Sequence, residues 1–197
     1  MEDIRILYID DSPDPVLAKY LDKYTREGCR IEYSDIEFKP DDGYESLIQD
    51  SQVRSANIIL IDSRLFENRT AEVGKFSGEE FKIILKKYFP FIEVIVVTQN
   101  DVDGDYETIA KFDSRDALTP EEYYGQKLSG LLDKAIRNIC EFRKIAMELE
   151  ENTRWESVLV EKITNSLKGY GMYDELTKHD IDQVIVAFKE LQERLDG

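Results

Sequence analysis

Basic charge is scarce in this 197-residue chain: 26 Lys and Arg stand against 42 Asp and Glu, a formal net charge of −16. So acidic a surface repels phosphate backbones and anionic membranes, and the expectation is no direct contact with nucleic acid or membrane. Cysteine is nearly absent too. Cys29 and Cys140 make neither a CxxC pair nor a metal-ligand spacing, and they read as reduced thiols of a cytoplasmic protein. No apolar run approaches the length of a membrane span, and the opening Met-Glu-Asp is acidic where a signal peptide would be basic. A glycine-rich catalytic signature and the basic recognition helix of a helix-turn-helix module are both missing. What the chain does have is 42% hydrophobic and 11% aromatic content, enough for one full domain with a real core and a smaller appendage.

The first 118 residues alternate between strand and helix signals. Ile4–Ile9 reads as a strand, and Pro13–Tyr24 as a helix capped by Ser12, with Val16, Leu17, Tyr20, Leu21 and Tyr24 on one face. Ile31–Phe38 is a second strand, and Asp42–Arg54 a weak helix. Asn57–Asp62 and Glu93–Thr98 are short, fully apolar strands that end on polar residues. Between them Gly78–Phe89 carries the helical stripe Phe81, Ile84, Leu85, Tyr88, and Thr108–Phe112 is a short last strand. Continuous Val/Ile runs, rather than alternation, mark strands covered on both faces, hence a parallel sheet with helices on either side.

The strand ends carry the chemistry. Asp10 and Asp11 close the first strand, Asp62 the third and Thr98 the fourth, while Lys111 follows the start of the fifth. Open parallel sheets place their sites beyond these carboxyl ends. One carboxylate suffices to cap a helix, so two adjacent ones behind an apolar strand need a further reason. Three carboxylates converging on one edge repel one another unless a hard divalent cation such as Mg2+ joins them. A carboxylate held there can act as nucleophile toward phosphorus, with a hydroxyl and an ammonium binding the oxygens where charge accumulates.

That constellation, in "LYIDDS", "IILIDSR", "VIVVTQ" and "TIAKF", resembles the receiver domain of two-component response regulators over roughly residues 3–118. The resemblance implies a flavodoxin-like doubly wound α/β fold with five parallel strands in the order 2-1-3-4-5. It implies Asp62 as the phosphorylated residue, Asp10, Asp11 and Asp62 as metal-binding acids, and Arg64 as a backbone-carbonyl ligand of Mg2+. Thr98 and Lys111 would be the catalytic pair, and a sensor histidine kinase or other phosphodonor the source of the phosphoryl group. The chain departs from the family pattern in several places. The segment after Asp62 is about twice the usual length, Gln99 replaces a small residue, Thr108 takes the aromatic switch position, and Phe112 stands where proline is general. Only nine residues, 99–107, join strands four and five. A parallel crossover with its helix takes about ten to twelve, so the fourth helix must be reduced or missing.

From 119 to 197 a helical extension is expected. Thr119, Pro120 and Glu122 form a helix start, and Leu128, Leu132, Ala135, Ile139, Phe142, Ala146 and Leu149 then recur at heptad spacing. This 128–149 stripe packs on the chain's own sheet and later helices, or it forms a helical hairpin or homodimer seam. A break falls near 152, with Trp155, Leu159 and Ile163 continuing the apolar face. Gly169 to Gly171 stop the helix, and a last one spans about 178–195. His179 there reads as a surface histidine, and Met147 and Trp155 as packing residues. Three functions follow. One is a phospho-accepting signalling module whose output runs through contacts of the helical region with an effector protein. Another is a pseudo-receiver acting as an interaction or oligomerisation scaffold without phosphorylation. The third, a haloacid-dehalogenase-type phosphatase, needs an acid two residues after its nucleophile, where this chain has Ser12. The expectation is therefore a signalling protein and not an enzyme.

Overall fold

The apolar runs become strands buried on both faces. In the computed structural model, which describes residues 1–39, 43–65, 77–99, 107–115, 117–151 and 157–167, β1 spans Glu2–Asp10 and β2 Cys29–Glu37. The remaining strands are β3 (Ile58–Asp62), β4 (Glu93–Thr98) and β5 (Thr108–Ala110). Every residue of β3 and β4 is buried, the reason their sequences are continuous Val/Ile runs rather than alternating ones. All neighbours pair in parallel, in the order β2-β1-β3-β4-β5. The fold is a flavodoxin-like, receiver-like doubly wound sheet.

Alternate residues feed two cores. Ile4, Ile6, Tyr8, Ile58, Leu60, Ile95, Val97 and Ile109 face one side. There they meet α1 (Pro15–Lys23) through Leu17 and Leu21. Leu7, Ile9, Ile59, Ile61, Val94 and Val96 face the other, against α2 (Tyr44–Gln49), α3 (Ser51–Ser55) and α4 (Gly78–Tyr88). Burying a side chain of this size is worth roughly 1.5–3 kcal/mol relative to exposure, so the two clusters dominate the fold energy.

The local starts differ from expectation in two places, for one physical reason. Helix α1 is capped by Asp14, with Pro15 at its first position, rather than by Ser12 and Pro13; the Asp14 carboxylate accepts the Val16 N–H at 2.8 Å. The expected helix over 42–54 is instead two, because Asp50 turns its side chain onto the Gln52 and Val53 N–H groups and starts α3 afresh. Helix α4 opens on a capping box between Ser77 and Glu80 that had no place in the sequence reading. Strand β5 stops at Ala110, short of Phe112. Residues 100–106 of the β4–β5 connection and 66–76 of the long segment after β3 lie outside the described residues.

Helix α5 (Pro120–Lys127) begins as expected, on Thr119 with the Glu122 capping box. It does not run on unbroken. Leu128 separates it from α6 (Ser129–Glu151), keeping right-handed helical geometry and its N–H on the Tyr124 carbonyl. Leu128, Leu132, Ala135 and Ile139 join Tyr123 and Tyr124 in the core beside α1, so the first half of the heptad stripe closes inside the chain, on its own sheet. Beyond that point Phe142 is partly exposed and stacks edge-on against Phe91, and α7 (Ser157–Leu167) packs against α6. Met147 is more than half exposed, a correction to its reading as a packing residue. Trp155 and the expected break near 152 lie outside the described residues, as do Gly169 to Gly171, His179 and the helix expected over 178–195.

Candidate functional site

The carboxyl edge of the sheet gathers the polar strand ends. Asp10 continues the parity of Tyr8 on β1, and Asp62 that of Leu60 on β3, so both reach the same side of the sheet one step past the apolar core. Both are buried, and Lys111, just beyond β5, lies between them. Its ammonium sits 2.7 Å from Asp10 Oδ2 and 2.9 Å from Asp62 Oδ1. Thr98 ends β4, buried, and its carbonyl accepts the Lys111 N–H at 2.7 Å, which fixes where the lysine departs from the sheet.

Each carboxylate has further donors. Asp10 Oδ1 accepts the Ser12 N–H at 2.9 Å, and Asp62 Oδ2 accepts the Arg64 N–H at 2.8 Å. The side chain of Arg64 is exposed, and its contribution seen here is an N–H donated to Asp62. The Tyr8 hydroxyl donates to Asp10 Oδ2, the oxygen that also takes Lys111. Asp11, less buried than its neighbour, completes an acidic group: Asp10, Asp11 and Asp62 each offer an oxygen, and these lie within 4.8 Å of one another. Such a set of hard oxygen donors can hold a metal ion. Gln99 is exposed at the same edge.

Electrostatics set the character of the pocket. Burial pushes the Asp62 carboxyl above the usual carboxylate range, and the hydrogen bond and charge of Lys111 only partly offset this; the Asp10 charge adds to it. Burial alone would lower Lys111, but its bonds to Asp62 and Asp10 outweigh that and hold it above its ordinary value. One ammonium, that of Lys111, thus lies between two buried acids, and Asp11 stands beside them.

The sequence reading brought Asp10, Asp11, Asp62 and Lys111 to this edge, and the structure places them together there. It missed Tyr8, which it took as an ordinary strand residue. The available signal was its parity: a hydroxyl-bearing aromatic two residues before a buried acid faces the same side. It also missed Gly78 of α4, whose N–H donates to the Ser63 carbonyl at 2.8 Å beside the Asp62 strand end. A Cβ at Gly78 would stand 2.7 Å from the Asp62 carbonyl oxygen, so only glycine fits there.

No known family matches the chain by sequence profile, and no curated protein matches it by sequence. Solved structures that align with it include the response regulator RcsB in complex with DNA, at 15% identity and TM-score 0.42, covering 85% of this chain and 93% of that one. RcsB from Salmonella typhimurium aligns at 16% identity and TM-score 0.40, over 88% and 94% of the two chains. RcsB from Salmonella enterica serovar Typhimurium, bound to a promoter in the presence of BeF3−, aligns at 17% identity and TM-score 0.37, over 88% and 95%. At these scores the fold rests on the chain's own strand order and register. One expectation is corrected by this finding. Net acidity was read as excluding direct contact with nucleic acid, yet similar structures include response regulators bound to DNA. A net charge sums the whole surface, whereas phosphate contacts are made by local groups, so the exclusion does not hold. Among the described residues no helix is long and apolar enough to cross a membrane.

Proposed function

We propose that this chain is a cytoplasmic, response-regulator-like signalling protein that accepts a phosphoryl group on Asp62 and passes its state to the helical region beyond residue 118. The observation that carries the reading is the three-way contact at the sheet edge: Lys111 within 2.9 Å of Asp62 and 2.7 Å of Asp10, with the Asp11 oxygen drawn into the same cluster. Asp10, Asp11 and Asp62, with the Arg64 carbonyl, would hold Mg2+. That ion, when bound, neutralises the acids and draws phosphoryl oxygens toward Asp62. In the transfer an Asp62 oxygen attacks phosphorus; the new O–P bond forms as the donor's bridging O–P bond breaks, and the donor leaves as its own anion. Lys111 releases part of its hold on Asp62 and turns to the incoming oxygens, joined by the Thr98 hydroxyl. The role is that of a switch that is loaded and unloaded, not of a turnover enzyme.

A second reading, a scaffold that is not phosphorylated, draws support from the donors already on Asp10. Its Oδ2 carries both the Tyr8 hydroxyl and the Lys111 ammonium, and its Oδ1 the Ser12 N–H, so that Asp10 is held by three protein donors without any ion. The test is intact mass after incubation with acetyl phosphate and Mg2+. A single phosphoryl adduct on the native chain, absent from Asp62→Ala, is the expected result. No adduct, with no Mg2+ binding by calorimetry, would leave the scaffold reading standing alone.

A further inference from the structure

A buried tyrosine chain leads away from the acidic pocket. Tyr8 has no exposed surface, and neither has Tyr124 on α5; Asp10 has almost none. The Tyr8 hydroxyl donates to Asp10 Oδ2 and accepts the Asp14 N–H at 3.3 Å. The Asp14 carboxylate, which caps α1 on the Val16 N–H, accepts the Tyr124 hydroxyl through its other oxygen at 3.4 Å. Tyr124 in turn accepts the Phe112 N–H at 3.0 Å, and Phe112 follows Lys111 in the chain. Since Lys111 is bonded to Asp10, the path closes on itself: Lys111, Asp10, Tyr8, Asp14, Tyr124, Phe112 and back. Neighbouring Tyr123 fixes the same junction by donating to the Ala110 carbonyl at 3.0 Å.

Packing alone does not account for this ring. Phenylalanine at 8 and 124 would fill the same volume in the same apolar core, and a hydroxyl taken out of water must be bonded to break even. Each hydroxyl here spends its bonds on this circuit. It joins β1, the α1 cap, the end of β5 and the first turns of α5, the four elements whose relative placement decides where Asp10 and Lys111 sit.

We propose that Tyr8 is a positioning residue for Asp10 and Lys111, and that through Asp14 and Tyr124 it couples the acidic pocket to the start of α5. The inference rests on the proposed phospho-acceptor site for its function, though its geometry does not depend on an ion. A rotation of Asp10 or a withdrawal of Lys111 changes the acceptor of the Tyr8 proton, and the change reaches α5 by hydrogen bonds rather than by shifts of apolar side chains. A carboxylate oriented by such an outer partner loses about 10- to 100-fold in metal affinity when the partner is removed.

The test uses the full chain in four forms: native, Tyr8→Phe, Tyr124→Phe and the double variant, all isosteric in the core and checked for folding by their thermal melts. The first readout is the Mg2+ dependence of acetyl phosphate labelling. Tyr8→Phe should raise the half-saturating Mg2+ by about tenfold or more, with Tyr124→Phe moving it the same way and the double variant no further than Tyr8→Phe alone. Equal Mg2+ dependence in native and Tyr8→Phe proteins would overturn the proposal. The second readout needs no ion: the tyrosine ring-carbon and Lys111 ammonium NMR signals without Mg2+. Tyr124→Phe should shift the Tyr8 signal, and Tyr8→Phe should shift and broaden that of Lys111. If native protein is not labelled at all, the proposed function fails, and this second readout decides the inference by itself. Unmoved Tyr8 and Lys111 signals would end it.

Discussion

Replacing Lys111 by methionine isolates the pocket's electrostatics, because the side chain keeps much of its length and loses its charge. In the native protein one ammonium serves two carboxylates whose side chains are 1% and 7% exposed, at 2.7 and 2.9 Å. Removing one partner of a buried pair leaves an uncompensated charge, at a cost of about 3–5 kcal/mol. Here two acids lose the same partner, which would raise the cost, but Asp62 is already biased toward its protonated form by burial and can neutralise itself. The two corrections oppose, and roughly 3 kcal/mol at pH 7 is expected. For a chain of this size about 2–4 °C of Tm accompanies each kcal/mol, so the melt should fall by roughly 6–12 °C.

Two further features separate this account from a simple packing loss. Asp62, raised by burial and now without the opposing bond and charge of Lys111, titrates higher still in the folded variant, so the folded form binds a proton that the unfolded form does not. Stability gained this way is fully present below the unfolded carboxylate range and is lost as pH rises through the folded values, so the deficit against native protein should shrink on going from pH 7 to pH 5. A divalent cation supplies the missing positive charge, so Mg2+ should raise the melt of Lys111→Met more than that of the native chain. Differential scanning calorimetry at both pH values, with EDTA or with Mg2+, measures all of this. A melt within about 2 °C of native at pH 7, or one lowered equally at both pH values and indifferent to Mg2+, would refute the reasoning.

Two other outcomes are expected. Gly78→Ala should lower stability by about 1–3 kcal/mol in urea denaturation, because the new methyl meets the backbone of Asp62 and Ser63 at 2.7 and 2.8 Å and neither atom belongs to a flexible side chain; it should also slow labelling of Asp62, and an unchanged midpoint and rate would contradict the close approach. At alkaline pH, Tyr8 is held above its ordinary value by burial and then by its bond to Asp10, and Lys111 by its two acids in spite of burial. Both folded values lie above the unfolded ones, so their contribution is complete below about pH 10 and is lost as pH rises through the folded values; Tm should therefore decline from about pH 10 upward, less steeply in Tyr8→Phe, and parallel curves would show that Tyr8 carries none of the dependence.

Strands were the most legible part of this chain, since a five- or six-residue Val/Ile run bounded by polar residues has few other uses; β4 falls on the expected Glu93–Thr98. Polar ends on such strands were equally legible, because burial makes an Asp at that position costly unless it has work there. Less legible were the helix starts. "DDSPDP" offers Ser12-Pro13 and Asp14-Pro15 as equivalent caps, and what decides between them is the Tyr8 hydroxyl on the Asp14 N–H, a contact between residues six apart that no local pattern carries. The heptad stripe was ambiguous for a different reason. A sheet surface and a second helix both reward the same 4-3 spacing, so periodicity reports that a face is covered and not by what.

Under the proposed function, that face bears on how a signal would leave the site. Tyr123, Tyr124, Leu128, Leu132, Ala135 and Ile139 run from α5 into α6 along the sheet core, whereas Phe142, Ile145 and Met147 farther along α6 carry exposed surface. The connection between β4 and β5 spans only residues 99–107. At its end Glu107, in left-handed backbone geometry, bridges Lys82 of α4 and Lys134 of α6 at 2.9 and 3.0 Å. Helix α6 is therefore fastened to the sheet along its first half and pinned to α4 through Glu107. A movement at the pocket that tilts α5 has one lever arm available among the described elements, the distal half of α6 with α7 against it. The hydrogen-bonded tyrosines meet that helical arm at its base, where the Tyr124 hydroxyl holds Asp14 and the Phe112 N–H.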